Sequence, residues 1–373
     1  QSAGARPGPA CYGLGGGAPT VTDADLLLGY LDAGFFLGGR MVLDTGAAER
    51  AVLEDIARPL GLSAVEAAWA IHQVVNEQMA AAARMHAVER GQDVRAFPLF
   101  AFGGAGPVHA YRLAAILGVP EILCPFAAGV GSTVGFLAAP LAFDFVRSHY
   151  ALLDRVDWAA VETLYAEMET EGRRLLVAAG VPPAAVAIRR TADMRLFGQA
   201  HHIAVPMPEG QLDSSHSPSL GPPPGPIVRA AFEDVYRSLY KRTCPGVAIE
   251  AISWRLVATG PAPALDLRED LSLPVGRAAD QHRRPDIAGE TASSRDGAPA
   301  AIKGERPVYA PETGGFSATP VYDRYRLRPG DQLTGPAVVE ERESTVVVGP
   351  GATAHIDPFR NLVITPLARP RPT

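Results

Sequence analysis

The residues best suited to chemistry lie in one short stretch, FGGAGPVHA, residues 102–110. An apolar run ends in Gly103-Gly104-Ala105-Gly106, and a helical pattern begins at Pro107. Glycine has no Cβ, so the backbone here can take positive φ or come close to a ligand. The helix beyond presents outward N–H groups and a half-positive end, and His109 stands on its first turn, a location that favours ligand contact more than an arbitrary surface position would. The chemistry would be that of nucleotide or anion binding. The spacing fits neither the GxxxxGK[ST] phosphate loop nor the GxGxxG fingerprint. On the residues alone, a tight strand-to-helix link is the stronger reading and a ligand cradle the weaker.

Other reactive residues are isolated. Asp44-Thr45-Gly46 has the local form of an aspartic-protease motif, but that chemistry needs two carboxylates sharing a proton, and the residues after it are helical. Cys11 in GPACYG needs a base to become a thiolate nucleophile; His72, His86 and His109 exist, and the sequence places none of them beside it. His201 and His202, adjacent in a strand, point to opposite faces and cannot easily share a metal. Cys11, Cys124 and Cys244 are far apart, without CxxC spacing, which fits reduced cytoplasmic thiols better than disulfides or a zinc site. No catalytic residue and no metal ligand is legible.

The elements around these residues read as α/β. A helix is expected at TVTDADLLLGYLDAG, with Thr22 as N-cap and Asp25 three residues on. SAVEAAWAIHQVVNEQMAAAARMHAVERG is a helix of about seven turns, opened by a Ser63–Glu66 capping box and closed before Gly91. FPLFAF and EILCPF read as buried strands on either side of the helix that starts near Pro107. DWAAVETLYAEMETEGRRLLVAAG is amphipathic, with Leu164, Met168, Leu175 and Leu176 on one stripe. IRRTADMRLFGQAHHIAVPMP alternates like an antiparallel pair turning near Gly198, and VAIEAISWRLVATG is one long strand or a strand pair. The segment 211–228 is a Pro/Ser/Gly loop, and 267–304 reads as a flexible linker. Short strands with Gly-Pro turns fill the tail.

Composition narrows the function classes. Of 373 residues 47% are hydrophobic, which is ordinary for a globular protein. A formal charge of −6 offers no basic footprint, so no nucleic-acid partner is expected. No apolar run is long enough to cross a bilayer, so no membrane is expected. The first residue is Gln, and QSAGARPGPACYGLGGGAPT reads as the middle of a longer chain.

Several segments, in order, resemble the hydantoinase A/5-oxoprolinase family: SAGARPGPACYGLGGGAPTVTDADLLLGYL, FGGAGPVHA with ILCPFAAGVGSTVGFLAAP, ADMRLFGQ, and GPAVVEERESTVVVGPG. These are ATP-dependent enzymes that open cyclic amides; acetone and acetophenone carboxylase subunits are relatives. The resemblance implies the C-terminal portion of such a subunit. It implies a partial actin-like, sugar-kinase-like ATPase lobe at 1–150, a helical and β connecting region at 151–266, and, after the linker, a small β-rich domain at 305–373. By this likeness Gly103, Gly104, Ala105 and Gly106 contact the nucleotide, and His109 is a possible ligand contact. The family's DxGGT-type phosphate loops have no counterpart here, so ATP and Mg are expected only together with an N-terminal half, and this chain alone is expected to be inactive. A hydantoinase B-type partner subunit, a small cyclic amide substrate such as 5-oxoproline or a hydantoin, and a cytoplasmic location are implied. Two alternatives stay open: a carboxylase subunit, and a non-catalytic scaffold.

Overall fold

A computed structural model of the chain describes residues 2–208, 224–263 and 298–367. The backbone forms two compact units, one combining residues 1–135 with 266–373 and the other spanning 136–265. Most of the expected loop at 211–228 and linker at 267–304 lies outside the described residues. Residues 224–228 already belong to a helix, and 298–304 to a 3-10 turn and the start of a strand.

The first unit begins with α1 (Val21–Leu27). It starts two residues earlier than expected. Thr20, not Thr22, is the N-cap: its Oγ1 accepts the Asp23 N–H at 3.3 Å, and the Asp23 carboxylate accepts the Thr20 N–H at 2.9 Å. The earlier register wins because Asp23 also accepts the N–H groups of Cys11 at 2.7 Å and Ala10 at 3.2 Å, which ties down the GPACYG turn. Asp25 is thereby released from capping and faces the interior.

After α2 (Thr45–Val52) and the single turn α3 (Arg58–Leu60), α4 (Ala64–Glu89) opens with the expected Ser63–Glu66 box. Its buried Ala67, Ala68 and Ala80 let neighbouring helices approach closely. β1 (Leu99–Phe100) is shorter than expected; it pairs parallel with β2 (Ile122–Cys124), and α5 (Gly106–Leu117) makes the crossover. α6 (Gly131–Ala138) follows.

The second unit contains β3 (Ala142–Leu152), α7 (Trp158–Ala178), β4 (Ala187–Leu196), β5 (Ile203–Pro206), α8 (Pro224–Tyr240) and β6 (Ile249–Thr259). Its antiparallel sheet has the order β3-β6-β4-β5, with β4 and β5 paired as their alternation suggests, and β6 is one long strand. Helices α7 and α8 bury Tyr165, Met168 and Phe232 in a core with Met194, Trp254 and Leu256.

The last strands are β7 (Ile302–Ala310), β8 (Gly315–Asp323), β9 (Gln332–Thr334), β10 (Ala337–Glu340), β11 (Thr345–Val348), β12 (Thr353–Ile356) and β13 (Leu362–Thr365). They are β-rich, as read from the turns, and they return to the first unit. β13 pairs antiparallel with β2 and extends it into a five-stranded sheet, β1-β2-β13-β12-β9. A two-stranded ribbon as short as β1–β2 cannot bury a face by itself, so its core is completed by residues from the far end of the chain. The second sheet of this unit has the order β11-β10-β8-β7.

Helix α5 packs on β11 and comes especially close to the chain just beyond that strand. A Cβ on Gly349 would lie 1.9 Å from Tyr111 Cε1, so only glycine lets this ring lie flat, and the Tyr111 hydroxyl donates to Pro350 O at 3.2 Å. Gly349→Ala should therefore cost about 1–3 kcal/mol through overpacking. The check is a lower thermal midpoint by circular dichroism; an unchanged midpoint would mean that Tyr111 does not anchor α5.

Candidate functional site

The strand-to-helix link at 103–106 is built as its glycines suggest. Gly103 has φ +90°, and its N–H donates to Ala128 O at 2.7 Å. A Cβ on Gly106 would meet nothing within 4 Å, and one on Gly104 only Glu343 O at 3.4 Å. Residues 104–106 are exposed, and no side chain caps α5 at Ala105. The turn thus offers bare backbone to whatever lies beside it.

What lies beside it is a pocket of about 200 Å³. Gly104, Ala105 and Val108 form one side; Tyr12, Leu31, Phe35 and Phe36 supply apolar surface; Asp32, Glu340 and Glu343 add carboxylates. The connection between β10 and β11 closes it, and the Ser344 hydroxyl lies 3.3 Å from Gly103 O and 3.4 Å from Gly104 O. That connection is fixed by Glu341. Its buried carboxylate accepts the N–H groups of Ala127 at 3.1 Å and Ala128 at 3.0 Å, and Arg324 Nε lies 3.5 Å away. Burial pushes the Glu341 carboxyl up from its ordinary range, against the pull of Arg324. Ala128 in turn receives the Gly103 N–H, so this ion pair positions the glycine turn.

Behind the pocket, and reaching it through Asp25, lies a buried cluster that the sequence did not reveal. Asp25 on α1 stands between His72 on α4 and His109 on α5, and all three are 5% exposed or less. His72 Nδ1 is 2.8 Å from Asp25 Oδ1, and His109 Nε2 is 3.3 Å from Asp25 Oδ2. The two imidazoles stack with centroids 4.6 Å apart. Burial alone would raise the Asp25 carboxyl, but hydrogen bonds from His109 and His72 hold it below its usual range. Burial pushes His72 down, outweighing the attraction of Asp25. Among the described residues, His72 Nε2, His109 Nδ1 and Asn76 Oδ1 have no hydrogen-bond partner. Thr22–Asp25 had the spacing of a cap, which concealed Asp25. His72 carried no signal beyond being a histidine in an apolar helix. His109 was singled out for its place after the glycines; it points inward, to Asp25.

The chain matches the Hydantoinase/oxoprolinase family over residues 1–145 and that family's C-terminal domain over residues 274–365. It belongs to the hydantoinase/oxoprolinase family. It is 31% identical to the caprolactamase subunit alpha of Pseudomonas jessenii, over 98% of this chain and 49% of that one. It is 31% identical to the acetophenone carboxylase gamma subunit of Aromatoleum aromaticum, over 96% and 46%. The crystal structure of the ATP-dependent caprolactamase from P. jessenii superposes with a TM-score of 0.67 at 30% identity, covering 98% of this chain and 49% of that chain. Nucleotide-free acetone carboxylase superposes equally well, TM-score 0.67 at 23% identity, over 96% and 48%, which supports the same fold. That fold is of the actin-like ATPase type with added β structure. The chain spans about half the length of these relatives.

The remaining sequence candidates lie away from the Asp25 cluster or are buried in the core. Asp44 caps α2, accepting the Ala47 N–H at 2.9 Å, so the Asp-Thr-Gly triplet is a helix start. Cys11 is fully buried; burial first, and Asp23 second, push its thiol far above the ordinary range, which favours the protonated thiol. Burial pushes the Cys124 thiol up to about 12. His86 is exposed on α4. His201 and His202 are exposed and precede β5, whereas the sequence placed them within a strand. Among the described residues no helix is long and apolar enough to cross a membrane.

Removing one member of a buried ion pair strands the other. Glu341→Ala should cost about 3–5 kcal/mol of stability by leaving Arg324 and two N–H groups unpaired. Chemical denaturation checks this; a cost below about 1 kcal/mol would mean that solvent already reaches the pair.

Proposed function

We propose that this chain is the C-terminal part of the nucleotide-binding subunit of an ATP-dependent enzyme that hydrolyses cyclic amides, with the pocket at Gly104–Ala105 receiving the adenosine end of ATP. The observation that carries this reading is the exposed glycine backbone facing aromatic and aliphatic side chains, Tyr12, Phe35, Phe36 and Val108. Such surroundings suit a flat, uncharged base and a ribose whose hydroxyls can donate to Asp32 or Glu343. The pocket carboxylates would repel phosphates, so the triphosphate would extend away from them. They also do not fit Mg²⁺: Glu340 is paired with Arg306 and Lys303, Asp32 lies 3.7 Å from Arg306, and Glu343 lies 3.7 Å from Arg40.

The chemistry ATP supplies is activation of a poor electrophile. The lactam oxygen attacks the γ-phosphorus and ADP leaves. Water would then add to the activated carbon, the ring nitrogen would leave as it takes up a proton, and a second water would cleave the resulting acyl phosphate to release phosphate and the amino acid. The similarity to caprolactamase supports a lactam, and the family description extends the range to 5-oxoproline and hydantoins. Relatives named as alpha and gamma subunits support a partner subunit, for which we take a hydantoinase B-type protein. Equal identity to an acetophenone carboxylase subunit favours a second reading, in which the same activation serves ketone carboxylation. A cytoplasmic location fits either.

The test is nucleotide affinity of the full-length protein. Gly104→Asp adds a carboxylate where a Cβ has only one neighbour, Glu343 O at 3.4 Å, so the fold should tolerate it. We expect ATP binding, by titration calorimetry, to weaken by about tenfold or more with the melting temperature unchanged. Unchanged affinity would reject the adenosine pocket and leave a scaffold. ADP release that depends on a lactam supports hydrolysis; release that needs a ketone and bicarbonate supports the carboxylase.

A further inference from the structure

Asp25, His72 and His109 come from three helices, α1, α4 and α5, with 47 residues between the first two positions along the chain. One donor atom from each lies within 4.8 Å of the others. Two imidazoles and one carboxylate are a donor set that takes borderline divalent ions, zinc above all. We propose that Asp25, His72 and His109 bind one divalent transition-metal ion of the zinc class, with a remaining coordination position towards the pocket that Asp25 lines.

Four observations carry this. The carboxylate presents a different oxygen to each ring, 2.8 Å from His72 Nδ1 and 3.3 Å from His109 Nε2, so all three side chains converge. Each ring has its second nitrogen buried without a partner among the described residues. Held by protons alone, the cluster leaves both of those nitrogens as buried, unpaired acceptors. A metal on Nδ1 and Nε2 fixes the other tautomer and turns them into donors, and the buried Asn76 Oδ1, one helical turn beyond His72, is an unpaired acceptor. The nearby cation on α5, Arg112, is neutralised by Glu312 and lies over the Trp69 ring, so it does not already serve Asp25. Finally, the pocket that Asp25 lines gives an ion a way in. The ion cross-links the three helices beneath the glycine turn. This inference does not depend on the nucleotide reading.

The test uses the full-length protein, stripped with a chelator and titrated with Co²⁺ and then Zn²⁺. Wild type should take up about one ion more per chain than His109→Gln, with Co²⁺ giving the intense visible bands of a low-coordinate nitrogen and oxygen site. Glutamine keeps an N–H for Asp25, so a purely hydrogen-bonding role would survive that change. The thermal midpoint of stripped wild type should rise on adding Zn²⁺, and that of His109→Gln should not. Should His109→Gln not fold, X-ray absorption on zinc-loaded wild type decides: two imidazole ligands support the site, and none overturns it. Equal metal content in wild type and variant, or no shift of the wild-type midpoint, would show a hydrogen-bonded core cluster only.

Discussion

Burying a carboxylate costs several kcal/mol unless other groups replace its hydration. Asp25 meets that condition with two imidazoles brought from two other helices. The position of α5, and so of the glycine turn at its start, is therefore coupled to α1 and α4 through polar contacts as well as apolar packing. Close helix approach makes this possible. Ala24 on α1 and Ala68 on α4 sit in one small core with Leu28, Tyr30 and Val108, where larger side chains would hold the helices too far apart for Asp25 to reach both rings.

The second constraint comes from the other end of the sequence. Strands β9, β12 and β13 complete the sheet that β1 and β2 begin, and the connection after β10 brings Glu341 and Ser344 against residues 103, 104, 127 and 128. The pocket is thus made jointly by segments more than 200 residues apart. Its shape rests on the Arg324–Glu341 pair and on the Gly349 contact with Tyr111. Glu341 also lines the pocket, whereas Arg324, Tyr111 and Gly349 act on it only through where the lining backbone can lie.

Local signals in the sequence were readable where local physics decides. The Ser63–Glu66 box, the length of α4, the glycine turn and the alternation of β4 with β5 all depend on neighbours within a few residues. Signals failed where a distant contact decides. Thr20–Asp23 and Thr22–Asp25 are equally good caps on paper, and only the bonds from Asp23 to Ala10 and Cys11 choose between them. Once that choice is made, Asp25 is free for the core, and the cluster with His72 and His109 follows. The strand character of the tail was visible, but its pairing with β2 was not, because nothing local records a partner so far away. Family resemblance contributed what local physics could not, a reason to regard the glycine turn as a ligand wall.

The central claim is that the pocket beside Gly104 and Ala105 holds the adenosine of ATP. A crystal structure of the full-length protein with a non-hydrolysable ATP analogue tests it most directly. The account predicts the base against the Gly104–Ala105 backbone, between Val108 and the Tyr12, Phe35 and Phe36 side chains. A nucleotide bound elsewhere, with this pocket unchanged from the structure described here, would contradict it.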